Sequence, residues 1–392
     1  MKTIYFILTI IISSSSIGQD TIRSYYPKTS LIKEVYFVDN DRKKEGQYKI
    51  YHKNGVLWQE GMYKKGNLEG KWLDYYNTGQ LKQDLFFVKS KLEGRSITYY
   101  PYGEIHQIMH YKNDKQDGEL TIFYENGNLK EQSYYINGIP EGAFKGYYTN
   151  GKMRYETTMK QGLANGSWIA YFDNGNIQEK TTKINGVVNG AFVGYHKEYA
   201  NVPQKKCFYV DNLLENKFKG FYPSGNLMNS CNYKNNKIEG EYKEYFDVDS
   251  SVLFKKGEYS NNLKTGIWKT FYPNNQVYYF GNYNQDVKDG EWIVYYKNGN
   301  IKQKGYYKNN TEVNVWTFYT KAGHLSHKGE YLNGERHGKW SYYYNNEKIK
   351  VEHQYLNGLR NGIGIAYNTK GEVVEKALYK DDLIVKNLMQ KK

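Results

Sequence analysis

Three things are scarce in this 392-residue chain. It has 6 prolines and 2 cysteines, no helical 3.6-residue periodicity, and no apolar stretch beyond its N-terminus long enough to span a bilayer as a helix. The missing periodicity excludes an α-helical solenoid, and the missing apolar stretch excludes a transmembrane helix in the body of the chain. No proline- or glycine/serine-rich linker interrupts it, so one repeat domain is expected. Acidic residues are outnumbered: 41 Asp and Glu stand against 55 Lys and Arg, a formal charge of +14. That balance favours anionic partners such as lipid head groups, acidic glycans or acidic proteins, although the lysines are spread along the sequence and not clustered. There is no nucleophile elbow, phosphate-binding glycine loop or pair of catalytic carboxylates. No catalytic residue and no cofactor is therefore assigned.

What is abundant is tyrosine, with 44 residues, and glycine, with 38, and Asn-Gly pairs recur throughout. Such a composition favours strands joined by tight turns. With a mean hydropathy of −0.85 and only short alternating apolar runs, a thin sheet partly covered by aromatic rings is expected instead of a deep core. Residues 1–18 read as an export signal. Lys2 precedes an apolar run from Ile4 to Ile12, and Ser16 and Gly18 stand at −3 and −1 of a cleavage site before Gln19. The mature chain is thus expected in the periplasm, at the cell surface or secreted, and not transmembrane.

The chain repeats itself. Units open at Gly46, Gly70, Gly94, Gly118, Gly142, Gly166, Gly190, Asn216, Gly240, Gly266, Gly290, Asn314, Gly338 and Gly362, 24 residues apart except for two intervals of 26 that open at Gly190 and Gly240. Positions below are counted from the opening residue. Position five is always aromatic: Tyr51, Tyr75, Tyr99, Phe123, Tyr147, Tyr171, Tyr195, Phe221, Tyr245, Phe271, Tyr295, Tyr319, Tyr343 and Tyr367. This ladder is the candidate binding site, since a long aromatic strip facing solvent marks interaction.

Turn signals fall at positions eight and nine, as in Asn54-Gly55 and Asn298-Gly299, and near nineteen and twenty, as in Asn137-Gly138 and Asn333-Gly334. Asn-Gly suits the two-residue type I′ hairpin turn. Both turns are expected to be of that type, each unit being one hairpin of an antiparallel meander. Position six should then face eleven, two should face fifteen, and seventeen should face twenty-two. This places Trp72, Tyr76, Leu81 and Phe87 on one bulky face, and the position-five ladder among Lys, Glu, Gln and Thr on the other. The two long units carry their extra residues near Lys197–Asn201 and Asp247–Ser251. An even insertion preserves side-chain parity, whereas an odd one would invert every later residue.

The expected fold is all-β: an elongated, single-layer, twisted array of antiparallel β-hairpins. Close to thirty strands about 4.8 Å apart would extend roughly 130–140 Å. Residues 19–45 read as a degenerate capping repeat, 46–385 as the tandem repeats and 386–392 as a basic tail whose charge blunts the sheet edge.

Other chemistry is weaker. His106 and His110 would share a strand face roughly 13 Å apart, too far for one metal ion, and His324, His327, His337 and His353 do not group, so no metal site is assigned. Cys207 and Cys231 occupy equivalent positions two strands apart, about 9.6 Å, beyond the reach of a disulfide; packed free thiols are expected. Glu69, Glu93, Asp117, Glu141 and Asp289 precede opening glycines, where turn chemistry and pairing with Lys explain them better than a calcium ladder.

The segments YLNGERHGKW (331–340) and YKKGNLEGKW (63–72) resemble the MORN repeat. The extension Trp-x-x-Tyr-Tyr-x-Asn-Gly is similar to the bacterial variant repeats of YwqK-like antitoxin proteins. The resemblance covers essentially the whole mature chain. It implies an antiparallel hairpin array that associates with proteins or lipids, and it names no particular ligand. The chain is much longer than a minimal antitoxin-like member, and its export signal sits poorly with a cytoplasmic antitoxin role. The expected function is a non-enzymatic, exported binding or scaffold protein whose partner is a protein or envelope component. A carbohydrate- or cell-wall-binding module and an antitoxin- or immunity-like masking protein are the alternatives. Anionic lipid or glycan fits the charge; nucleic acid is not expected.

Overall fold

In the computed structural model, residues 20–389 are described; the expected export signal and the end of the basic tail lie outside them. All 36 elements among these residues are β-strands, joined in one antiparallel sheet that does not close into a barrel. Five are two-residue stubs, such as Asn67–Leu68, one residue ahead of the strand that continues them. The chain therefore makes close to the thirty passes expected. Its contacts gather into two units, 1–190 and 191–392, described separately below.

The unit opening at Gly70 shows how the sequence makes a hairpin. Its strands Gly70–Tyr75 and Leu81–Val88 pair with Trp72 opposite Leu85, Asp74 opposite Gln83 and Tyr75 opposite Leu81. Position two does face fifteen. Position six does not face eleven: a bulge at Lys82 shifts the register, and five faces eleven instead. The cause is the first turn. In the equivalent turn of the preceding unit, the His52 N–H donates to the Val56 carbonyl (2.8 Å) and the Gly55 N–H to the His52 carbonyl (2.9 Å). Of the Asn54-Gly55 pair only Gly55 has positive φ, 83°. This is a three-residue loop ending in a left-handed glycine, which brings a bulge with it. The type I′ expectation fails there and holds at the second turn, where Asn137 and Gly138 have φ of 50° and 83°.

The insertions lie where parity put them. In the second unit His196 N–H donates to Val202 and Phe246 N–H to Val252, so these two first turns hold five loop residues where the others hold three. The C-terminus departs from expectation. Asp381 and Asp382 form another turn of positive φ, 49° and 70°, and a last strand, Leu383–Asn387, continues the pattern into the basic tail. That edge exposes Leu383, Ile384 and Val385 and is less charged than the Lys-rich sequence suggested.

The core is one row of side chains, one from each strand, alternating between positions two and fifteen. In the first unit it runs through Tyr48, Gly61, Trp72, Leu85, Ser96, Met109 and Leu120, each opposite the next. In the second it includes Cys231, Tyr242, Gly257, Trp268, Gly281, Trp292, Gly305, Trp316, Gly329 and Trp340. Trp316 and Trp340 are 2% and 0% exposed. Position-seventeen tyrosines close over the rings edge-on: Tyr307 lies 5.2 Å from Trp316 and Tyr331 lies 5.1 Å from Trp340, at 85° and 90°. Burial of each large ring stabilises by roughly 2–3 kcal/mol.

Candidate interaction surface

Repeats hold one another through three recurring hydrogen bonds. The position-six hydroxyl donates to the position-five carbonyl of the next unit: Tyr76 to Tyr99 (2.8 Å), Tyr124 to Tyr147 (2.8 Å), Tyr296 to Tyr319 (3.0 Å). The turn asparagine does the same one turn on, Asn54 Nδ2 to Asn77 (2.9 Å) and Asn298 Nδ2 to Lys321 (2.9 Å). The acids before the opening glycines accept backbone N–H groups from the following second turn, Glu69 from Lys89 (3.0 Å) and Glu93 from Asn113 (2.8 Å). These bonds account for the Tyr-Tyr-x-Asn-Gly signature and for the acidic row. Among the described residues no group of three His, Cys, Asp or Glu could hold a metal ion.

All fourteen residues of the predicted aromatic ladder are half-buried at the end of their strand, just before the first turn. Members of neighbouring units stand two strands apart, about 9.6 Å, so they do not stack on one another. Several spend their hydroxyls within the sheet. Tyr75 donates to Glu60 Oε1 and Tyr171 to Glu156 Oε1, both 2.8 Å. Burial, with that carboxylate contact second, pushes both phenols up to about 12. They remain protonated donors.

The same face carries a feature not foreseen. On either side of the second turns, large apolar side chains point to solvent. In the first unit they include Phe86, Tyr134, Ile136, Ile139, Leu163 and Ile184, between 42% and 49% exposed. The period-two alternation predicted a polar outer face, but these outward positions, paired within the sheet, carry apolar side chains.

The remaining candidates are structural. His106 packs 4.7 Å from the Tyr100 ring and meets Thr98 Oγ1 at 3.3 Å, while His110 contacts the Glu119 carbonyl at 3.2 Å. His327 stacks on Phe318 at 4.3 Å. Cys207 and Cys231 are free and buried, and burial pushes the Cys231 thiol up to about 11.

Antiparallel hairpin units that bury one ring row, hand hydrogen bonds to the next unit and leave a broad second face in solvent define a β-repeat protein of the binding and scaffold class. A model of the MORN repeat variant matches residues 44–65, 68–89, 92–113, 116–137, 140–161, 164–182, 214–235, 264–285, 288–309 and 336–357, more than half of the chain. The chain belongs to the MORN-repeat-variant family. The stretches between matches, including both long units, keep the same strand pattern. No curated protein matches the sequence. Among solved structures, the chain is similar to the crystal structures of TcdB2-TccC3-Cdc42 (10% identity, TM-score 0.16, 95% of this chain and 27% of that one) and of TcdB2-TccC3 (13%, 0.17, 92% and 21%). It spans about a quarter of those chains, and the scores carry no implication for function.

Proposed function

We propose that the chain is an exported, non-enzymatic binding or scaffold protein that engages a protein or envelope component through the outer face of its sheet. The observation that carries this reading is the outer face itself. Phe86, Tyr134, Ile136, Ile139, Leu163 and Ile184 stand in solvent, and exposed apolar groups in repeating register are the mark of an interaction surface. The half-buried aromatic ladder borders them. The inner face is consumed by packing among the described residues.

Crosslinking pull-down of the mature chain from its native envelope tests this. Recovery of a specific protein that is lost when Ile136, Ile139 and Leu163 are replaced by Ser supports the reading. Recovery unaffected by those changes refutes it. An antitoxin- or immunity-like masking role is the form the reading takes if the captured partner is a toxic protein; co-expression rescuing growth would then follow. A glycan-binding role is favoured by the lysines described next. Tryptophan quenching is a poor reporter of it, because Trp72, Trp268, Trp292, Trp316 and Trp340 are buried, Trp168 is half-buried in the first unit, and Trp58, at 40% exposure, stands apart against His52.

A further inference from the structure

The lysines that are dispersed in the sequence are collected by the strand register of the second unit. On its outer face Lys206 lies opposite Lys219, Lys219 opposite Ser230, Ser230 opposite Lys243, Lys243 opposite Lys256, and Lys256 opposite Lys269. Five of six consecutive strands thus place a lysine in one line across the sheet, about one strand spacing of 4.8 Å per step. Like charges directly opposite each other destabilise a sheet. Yet Lys206, Lys219, Lys256 and Lys269 make no ion pair among the described residues, and only Lys243 has a carboxylate, Glu241 at 2.7 Å. Glu258 flanks the line opposite Glu241.

The corresponding line of the first unit is built differently. It reads Lys49, Glu60, Leu73, Asp84, Ile97, Ile108, Thr121, Gln132, Lys145, Glu156, Ile169, Lys180. There Lys49 and Lys145 face glutamates, Lys49 pairing with Glu60 at 3.7 Å, and Lys180 faces Ile169. Lysine facing lysine is therefore not a general property of this position. At the start of the lysine line an open groove of about 610 Å³ adds Lys217 and Lys234 to Lys206 and Lys219, against one carboxylate, Glu239. Two residues along the strand from Lys219, Lys243 and Lys269 stand Phe221, Tyr245 and Phe271, and Lys206 Nζ lies 5.5 Å from the Phe221 ring.

We infer that this line is a binding track for a linear acidic polysaccharide, a chain with one carboxylate per sugar. Carboxylates would meet the five lysines, Ser230 offering a hydroxyl on the strand between, and the sugar rings would lie along the edges of Phe221, Tyr245 and Phe271. The match is in repeat length, since one sugar advances by close to one strand. Duplex nucleic acid offers two phosphate rows across a groove about 12 Å wide, which one line of lysines does not span. Single strands are held by bases on open aromatic faces, and these rings are half-buried. The inference deepens the binding function proposed above by naming a ligand class and its residues.

The test uses the mature full-length chain and a defined oligogalacturonate, titrated at low and physiological salt. A variant carrying Lys206→Gln, Lys219→Gln, Lys256→Gln and Lys269→Gln should bind at least about tenfold more weakly. A control carrying Lys91→Gln, Lys112→Gln, Lys115→Gln and Lys160→Gln, with the same change in charge, should stay within about twofold. Binding should weaken as salt screens the lysines, and the melting temperature of the first variant should not fall, because repulsion has been removed. The inference is overturned by absence of saturable binding, by equal losses in both variants, or by a methyl-esterified oligomer binding as tightly. It is also overturned if single-stranded DNA or phosphatidylserine vesicles bind more tightly through the same four lysines. A protein captured in the pull-down while the oligogalacturonate fails leaves the binding function standing and removes only this track.

Discussion

At the residue scale the core obeys a size rule. Where position fifteen is glycine, a tryptophan lies directly over it: a Cβ on Gly305 would come within 2.1 Å of Trp316, and one on Gly329 within 2.2 Å of Trp340. Where position fifteen is larger, its neighbour is in most units smaller, as in Met109 with Leu120 and Ser133 with Phe144; Thr157, which faces the half-buried Trp168, is the exception. Gly305→Ser alone should destabilise by about 1–3 kcal/mol through overpacking. Adding Trp316→Phe, which copies the Ser133/Phe144 pair, should recover part of that loss. A double-mutant cycle by denaturant unfolding measures the coupling, and additive losses would contradict the rule. His353 occupies position fifteen with its Nδ1 buried and lacking a hydrogen-bond partner. Burial, and then the Arg360 charge, lowers its pKa. The unfolded chain, with a His value of about 6.5, therefore takes the proton first, so stability is intact above that pH and lost as pH falls toward the native pKa. Melting curves at pH 7.5 and 5.5 should show the wild type losing more than His353→Thr, a side chain that Thr157 already carries in the equivalent place.

At the element scale the two turns do different work. Second turns need positive φ at both central residues, and Lys89 supplies it at 50°, a conformation that costs a lysine more than an asparagine. Its N–H, not its side chain, reaches Glu69. Lys89→Asn should therefore stabilise by roughly 0.5–1 kcal/mol, read as a higher urea midpoint; a lower midpoint would mean that the lysine side chain matters there. This division was only partly legible in the sequence. The period, the second turn, the pairing of Trp72 with Leu85 and the harmless even insertions all follow from spacing and parity. The first turn does not, because Asn-Gly fits both a two-residue turn and a three-residue turn with a left-handed glycine. The misread bulge also hid the role of position six, whose tyrosines bond to the next unit and do not join the core. The lysine line escaped notice for a related reason. Its lysines are 13 to 24 residues apart in sequence and come into one line only when every strand is in register.

At the scale of the whole molecule, a tandem array should tolerate loss of a complete unit, because each repeat contacts only its neighbours. The size rule decides which unit. Deleting Gly290–Val313 joins Asp289 to Asn314 without changing the position count and brings Gly281 against Trp316, another glycine-tryptophan pair. Deleting Gly118–Glu141 is equally neutral in count but brings Met109 against Phe144, where Met109 now meets Leu120 and Phe144 now meets Ser133. The first deletion should leave a cooperative thermal transition within a few degrees of the parent. The second should lower it further, since overpacking costs about 1–3 kcal/mol and each kcal/mol moves the midpoint of a large domain by roughly 2–4 °C. Removing 23 residues, Gly290–Glu312, would invert side-chain parity at the junction and should abolish the cooperative transition. If all three chains melted alike, the repeat register would not be what holds this sheet together.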